Sequence, residues 1–306
     1  YWLQWQVVTK LSLVSKKKAM KAKSQHLAED YGDTELADAL LEQVNEYYCI
    51  PRVFPDEAIE TLLLKQKEQE VAALSVKKPK LKLPKFSPSG AGKCDLELYR
   101  LANGISVPEL NLQPYHRRWT RNGTAVHEAI QHDLLYMEKE LDNPRFTVLR
   151  NEDGLPMWEH NLYKQQEITH NGQTFILSGM CDGLLLDQQT GQTVIFEFKT
   201  KSTTIAAVGD YKMKDIQDGH RLQGICYSIM FCGDPYEDRD DKEVFLYESL
   251  AKDFWTKGTE ARSDIRAFQQ TITLSDRMAV LDRFASVVAM TEEPEHNCDN
   301  YFCPLK

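Results

Sequence analysis

A chain of 306 residues with 42% apolar and 10% aromatic side chains can bury a substantial core, which excludes a disordered or fibrous protein. Its apolar runs, such as Ile225 to Cys232, fall well short of the roughly 18 residues that a membrane span needs, so no membrane partner is expected. A net charge of −9 argues against a protein that coats nucleic acid by bulk electrostatics, but not against a nuclease whose acidic ligands contribute to that count.

In chain order, Trp2 to Ser15 carries Gln4, Gln6 and Lys10 where an export signal needs an uninterrupted apolar run, so a cytoplasmic protein is expected. The seven cysteines are then thiols or metal ligands rather than a disulfide framework. After a β-rich start, residues 1 to 74 read as mostly helical: Glu35 to Tyr47 and Asp56 to Leu74 place apolar residues at spacings of three and four. Val76 to Lys93 contains Lys77, Lys78, Lys80, Lys82, Lys85 and Lys93, with Pro79, Pro84, Pro88 and no acid; it reads as a solvated linker or, alternatively, a phosphate-contacting strap. The chain therefore divides into an accessory region with its lysine-rich linker, 1 to 85, and an α/β domain, 86 to 306. In the latter, Gly123 to Leu141 predicts a helix carrying His127, and Lys164 to Ile168 and Thr174 to Leu186 predict strands. The turn Gln188 to Gln192 leads into the apolar run Val194 to Phe198, and Arg221 to Met230 has helical spacing. The expected fold class is α/β: a mixed central β-sheet flanked by helices, with an N-terminal helical region.

Strand alternation puts Glu197 and Lys199 on one face and Phe196 and Phe198 on the other. If the strand carrying Asp182 pairs alongside, Asp182 and Glu197 converge on a hard divalent cation, with Lys199 beside them to orient or deprotonate a water. That combination suits phosphodiester hydrolysis. The plainer alternative is a surface Glu–Lys pair on an edge strand, contributing a few tenths of a kcal/mol. His127 adds an imidazole ligand suited to Mn²⁺, although lone helical histidines are often structural. Gln223 and Tyr227 are four residues apart and share a helix face, either reaching the site or forming an ordinary half-buried surface.

In this order, Gly123-Thr-Ala-Val-His127-Glu128, Gly179-Met-Cys-Asp182-Gly183, Glu197-Phe-Lys199 and Gln223-Gly-Ile-Cys-Tyr227 resemble the RecB-like branch of the PD-(D/E)XK nuclease superfamily. The resemblance runs from about Ser87 to Cys303 and leaves residues 1 to 74 outside it. Cys181 stands where the superfamily name has proline. The resemblance implies a PD-(D/E)XK nuclease-like fold and a metal-dependent deoxyribonuclease working as an exonuclease on DNA with single-stranded ends. It implies that His127, Asp182, Glu197 and the Phe198 carbonyl bind Mg²⁺ or Mn²⁺. Lys199 would activate or position the attacking water beside the catalytic carboxylates Asp182 and Glu197, while Gln223 and Tyr227 fix Lys199 or the substrate strand. Glu167 matches a further position that is often acidic in the branch. Two alternatives stay open: a non-catalytic nucleic-acid-binding or assembly module on the same fold, and an RNA-directed nuclease.

Some RecB-like nucleases, among them exonucleases and the nucleases of CRISPR adaptation, carry an iron–sulfur cluster that staples the ends of the domain. Their pattern has one cysteine before the histidine motif and three near the C-terminus. Cys94, Cys298 and Cys303 match three of the four; the fourth would fall past Lys306, and the gap from Cys298 to Cys303 is longer than usual. A structural Zn²⁺ held by Cys94, His296, Cys298 and Cys303 is an alternative, and free thiols are a third. Cys49, Cys181, Cys226 and Cys232 are expected to be packing residues.

Overall fold

The computed structural model describes residues 34–75, 82–108, 113–251, 256–257, 260–261, 263–296, 298 and 303–305. The expected β-rich start and the stretch 76–81 of the linker lie outside the described residues. Helix α1 (Glu35–Tyr47) buries Leu36, Leu40, Val44 and Tyr47, the stripe that its sequence spacing requires, whereas α2 (Glu57–Leu74) buries no residue fully. The Asp56 carboxylate caps α2 by accepting from the Ala58 and Ile59 amides. The C-terminal part of the linker segment is structured: it contains β1 (Lys85–Phe86), and buried Phe86 stacks on Phe284 at 4.3 Å.

Next come α3 (Asp95–Ala102), α4 (Pro114–Glu140), β2 (Phe146–Val148), β3 (Lys164–His170), β4 (Gln173–Gly179), β5 (Gly183–Asp187) and β6 (Thr193–Lys201). The chain continues through α5 (Asp218–Phe231), β7 (Asp241–Ser249), the short strands β8 (Thr256–Lys257) and β9 (Glu260–Ala261), β10 (Ile265–Ile272) and α6 (Leu274–Ala289). The fold is mixed α/β. A five-stranded sheet has the order β10-β7-β6-β5-β2, with β6 and β7 parallel and the other pairs antiparallel; a three-stranded sheet has the order β1-β4-β3. No helix among the described residues is long and apolar enough to cross a membrane.

The segment 174 to 186, expected as one strand, is two strands in different sheets, broken at Met180-Cys181-Asp182. Gly179 makes the close approach at the break possible, since a Cβ there would sit 2.7 Å from the Pro88 ring. The break lifts Asp182 out of both ladders and leaves its side chain free to serve a site.

Alternation along β6 sorts two cores. Phe196 and Phe198 join Leu40, Val44, Ile130 and Leu134 under α1 and α4, while Ile195 packs with Cys226, Ile229, Leu281 and Phe284 under α5 and α6. Each such large apolar side chain contributes roughly 1.5–3 kcal/mol when buried. Helix α1 is thus part of the main core. Its Gln43 amide closes the edge of β2, donating to the Phe146 carbonyl and accepting from the Phe146 amide, both at 2.8 Å.

Candidate active site

Helix α4 carries His127 to the open end of the five-stranded sheet, where its Nδ1 lies 3.5 Å from Asp182 Oδ2. The same Asp182 oxygen accepts from the Phe198 amide at 2.8 Å, and Gln131, one helical turn after His127, donates to the Asp182 carbonyl at 2.9 Å. Within one strand residue the N–H and C=O point to the same side, so the bond from Phe198 to Asp182 turns the Phe198 carbonyl toward that edge as well. The Phe198 ring meets the His127 imidazole edge-on at 4.9 Å, which fixes the histidine's tilt.

A third ligand joins this pair, and it is Glu159. His127, Glu159 and Asp182 bring three ligand atoms within 4.8 Å of one another. Glu159 begins a short 3₁₀ turn, Glu159–Leu162, with a φ of 39°, and its amide donates to the Cys181 carbonyl at 2.8 Å. Burial, followed by the Asp182 carboxylate, pushes Glu159 above the ordinary carboxylate range. The loop is anchored from the N-terminal region: the Trp158 indole donates to Gln66 Oε1 on α2 at 2.8 Å. The other acidic candidate, Glu167, is exposed on β3, the outer strand of the small sheet, and is not among these ligands. Strand alternation there turns Ile168 to the core and Glu167 to solvent.

Glu197 and Lys199 project together toward α5, as their alternation requires, and form an ion pair. Gln223 links them, donating to Glu197 Oε1 at 2.9 Å and accepting from Lys199 Nζ at 3.2 Å, and it lies 2.6 Å from the Tyr227 hydroxyl. The sequence candidates therefore fall into two adjoining groups, His127 with Asp182 and Glu197 with Lys199, Gln223 and Tyr227. Glu197 is buried and, among the described residues, its Oε2 has no hydrogen-bond partner. Burial, then the Asp182 carboxylate, pushes Glu197 up to about 8. Burial alone would lower Lys199, but the Glu197 and Asp182 carboxylates outweigh it and hold the ammonium above its usual range. The Asp182 carboxylate contributes to both shifts, so two carboxylates act on one ammonium here. An orphaned carboxylate oxygen and an imidazole with carboxylates make a donor set that fits a hard divalent cation.

A second group of potential ligands is separate from these residues. Cys94, His296, Cys298 and Cys303 bring their four ligand atoms within 4.8 Å of one another, with Cys94 Sγ 3.9 Å from Cys303 Sγ and His296 Nε2 3.3 Å from Cys303 Sγ. This set can hold a metal ion. Arg283 on α6 reinforces the approach by donating to the Ala91 carbonyl at 2.7 Å and to Asp95 Oδ1 at 2.8 Å. Of the cysteines expected to pack, Cys181 and Cys226 are buried and Cys232 is half-buried, but Cys49 is exposed just past α1. The turn after α1 faces solvent, so position 49 has no core to enter.

No protein-family model and no curated protein matches this sequence. Among solved structures, the chain is similar to one described as SSO0001, at 14% identity and a TM-score of 0.41, with 82% of this chain and 96% of that chain covered.

Proposed function

We propose that this protein is a metal-dependent DNA nuclease of PD-(D/E)XK type that hydrolyses phosphodiester bonds from strand ends. One observation carries the reading: the His127–Asp182–Glu159 ligand group adjoins a buried Glu197–Lys199 pair whose carboxylate has an oxygen without a partner among the described residues. A surface ion pair has neither a buried orphan oxygen nor a histidine and two further carboxylates around it. His127, Asp182, Glu159 and the Phe198 carbonyl would hold Mg²⁺ or Mn²⁺, with Glu197 alongside. The cation supplies Lewis acidity and a water of lowered pKa. Lys199, paired with Glu197, would orient the water and offset charge on the phosphate. Gln223 restrains the ammonium, and Tyr227 in turn restrains Gln223. End-labelled DNA and RNA incubated with Mg²⁺, Mn²⁺ or EDTA test the reading. Metal-dependent shortening of DNA supports it; inert DNA under all metals overturns it, and cleavage of RNA alone transfers the same site to RNA.

The cysteine–histidine group takes one tetrahedral ion, Zn²⁺, in this reading. A single zinc with Zn–S near 2.3 Å sets two thiolates about 3.8 Å apart, close to the 3.9 Å between Cys94 and Cys303. A four-iron cluster puts each thiolate on a different iron and spreads the ligands more widely. Metal analysis of anaerobically purified protein decides: one zinc in a colourless protein supports the assignment, while a brown iron- and sulfide-containing protein returns the iron–sulfur expectation.

A further inference from the structure

Helix α4 starts at Pro114, well before the stretch whose apolar spacing marks it, and its early turns are basic and aromatic. From Pro114 to His127 there is no acid, while His116, Arg117, Arg118 and Arg121 are basic, in a protein of net charge −9. All three arginines are exposed and make no ion pair among the described residues. Trp119 is 50% exposed, with Tyr115 edge-on to it at 4.9 Å. Neither the sheet nor the α1 core uses this flank for packing, so the fold itself does not account for the tryptophan.

Two clefts run along it. One, of about 510 Å³, is walled by Arg117, Arg121 and Glu128; the next, of about 310 Å³, is walled by Trp119, His127 and Glu159. Thr120 and Thr124 line both, so the clefts are continuous. The second cleft includes His127 and Glu159 of the ligand group. Gly123 brings the helix close to the end of β6, where a Cβ would lie 3.2 Å from Thr200 Oγ1. Arg117 and Arg121, four apart on a helix, have Cβ atoms about 5–6 Å from each other and can hold successive phosphates. An exposed indole beside them offers a stacking surface to a base only if that base is unpaired.

We propose that this flank of α4 is a single-strand track: Arg117 and Arg121 hold the backbone, and Trp119 stacks an unpaired base beside the bond presented to His127, Asp182 and Glu159. The proposal rests on the nuclease reading for its direction, since the track includes residues of the candidate metal group. It makes the substrate a single strand, with duplex DNA a poorer ligand at this surface.

The test measures binding without chemistry. Fluorescence anisotropy with a labelled single-stranded oligothymidylate, and with a duplex of equal length, is recorded in EDTA across a salt series. The double variant R117A/R121A should lower single-strand affinity at least tenfold and flatten the plot of log K against log salt by about 1.4, the loss of two phosphate contacts on a single strand. Trp119→Ala should cost about 5- to 150-fold on the single strand, with little change on the duplex, and Trp119→Phe should restore most of it. Thermal melting of each variant checks that these exposed changes leave the fold intact. Wild-type affinity in both R117A/R121A and Trp119→Ala overturns the track, as does equal loss on single strand and duplex in Trp119→Ala or a failure of the wild type to bind the oligonucleotide. If the wild type binds in this residue-dependent way but cleaves under no metal, the track stands and the nuclease reading falls.

Discussion

Glu159 is a non-glycine residue in left-handed backbone, a conformation that costs on the order of 1–3 kcal/mol and persists where the surroundings over-determine it. Here those surroundings are the amide bond to Cys181 and the Trp158–Gln66 clamp. Its side chain gains little stability in return, because burial and Asp182 work against its charge. Glu159→Gly should therefore leave thermal stability unchanged or slightly raised while Mn²⁺ affinity, measured by calorimetry, drops at least tenfold. A loss of stability with unchanged metal affinity would make Glu159 structural. No periodic signal marks Glu159, since it lies in an irregular loop between strands; Asp182 and His127, flanked by glycines and by a helical pattern, were legible. His220 gives a pH signature. Burial, then Lys199 and Lys201, lowers it to about 4, and Tyr247 lies 2.8 Å from its Nδ1. Because the unfolded chain binds the proton more readily, this stability is fully present above pH 6.5 and is lost as pH falls toward about 4. With partial solvent screening the loss is about 1–2 kcal/mol. Urea midpoints between pH 7 and pH 4 should fall less steeply in His220→Gln than in the wild type.

At the scale of elements, α5 must lie close to the sheet for Gln223 and Tyr227 to reach Glu197. Glu243 on β7 stands in register with Ile195 on β6, and its carboxyl occupies the space under Gly224: a Cβ there would come within 1.6 Å of Glu243 Oε2. Burial pushes Glu243 well above the ordinary carboxylate range, and Gln270 donates to its Oε2. Gly224→Ala should lift the helix, destabilise the protein by roughly 1–3 kcal/mol and reduce cleavage although every site residue is retained. Combining it with Glu243→Ala should recover part of that stability, a coupling that a double-mutant cycle reads directly; strict additivity would show that the two do not touch. The Gln223–Tyr227 face was legible from its spacing, whereas the need for glycine between them depends on how the following strand, β7, packs under the helix. Helix α4 shows the same division. Its later turns carry a buried stripe, Ile130, Leu134 and Met137, and were predicted; its early turns are exposed on most sides and gave periodicity nothing to detect.

Across the whole molecule, Cys94 and Cys303 join segments 209 residues apart, and a metal between them closes nearly the full α/β region. The Arg283 contacts hold the Cys94 loop independently, so loss of the ion should loosen the ends without unfolding the sheet. Chelation, or Cys94→Ser, should lower the melting temperature by several degrees and expose the C-terminal segment to proteolysis, while Cys226→Ser should retain the metal. Equal metal content and melting in wild type and Cys94→Ser would reduce the group to neighbouring thiols. The set Cys94, His296, Cys298 and Cys303 was legible as one of three readings of these residues, but their convergence required the chain's path back to Cys94. The mixed α/β class followed from the order of segments. The partition into two sheets did not, because the break at Cys181–Asp182 is set by Gly179 against Pro88 rather than by any change in hydropathy.

The decisive measurement is the rate at which end-labelled single-stranded DNA is shortened in Mn²⁺ by wild type, Asp182→Ala and Lys199→Ala, each first shown to melt like the wild type. Asp182 bridges the ligand group and the Phe198 amide, and in the proposed reaction Lys199 would offset charge on the phosphate. Removing either should slow cleavage by about 10³-fold or more, a loss of roughly 4 kcal/mol of transition-state stabilisation, with oligonucleotide binding retained. Cleavage at the wild-type rate by both folded variants would contradict a nuclease site built on these residues.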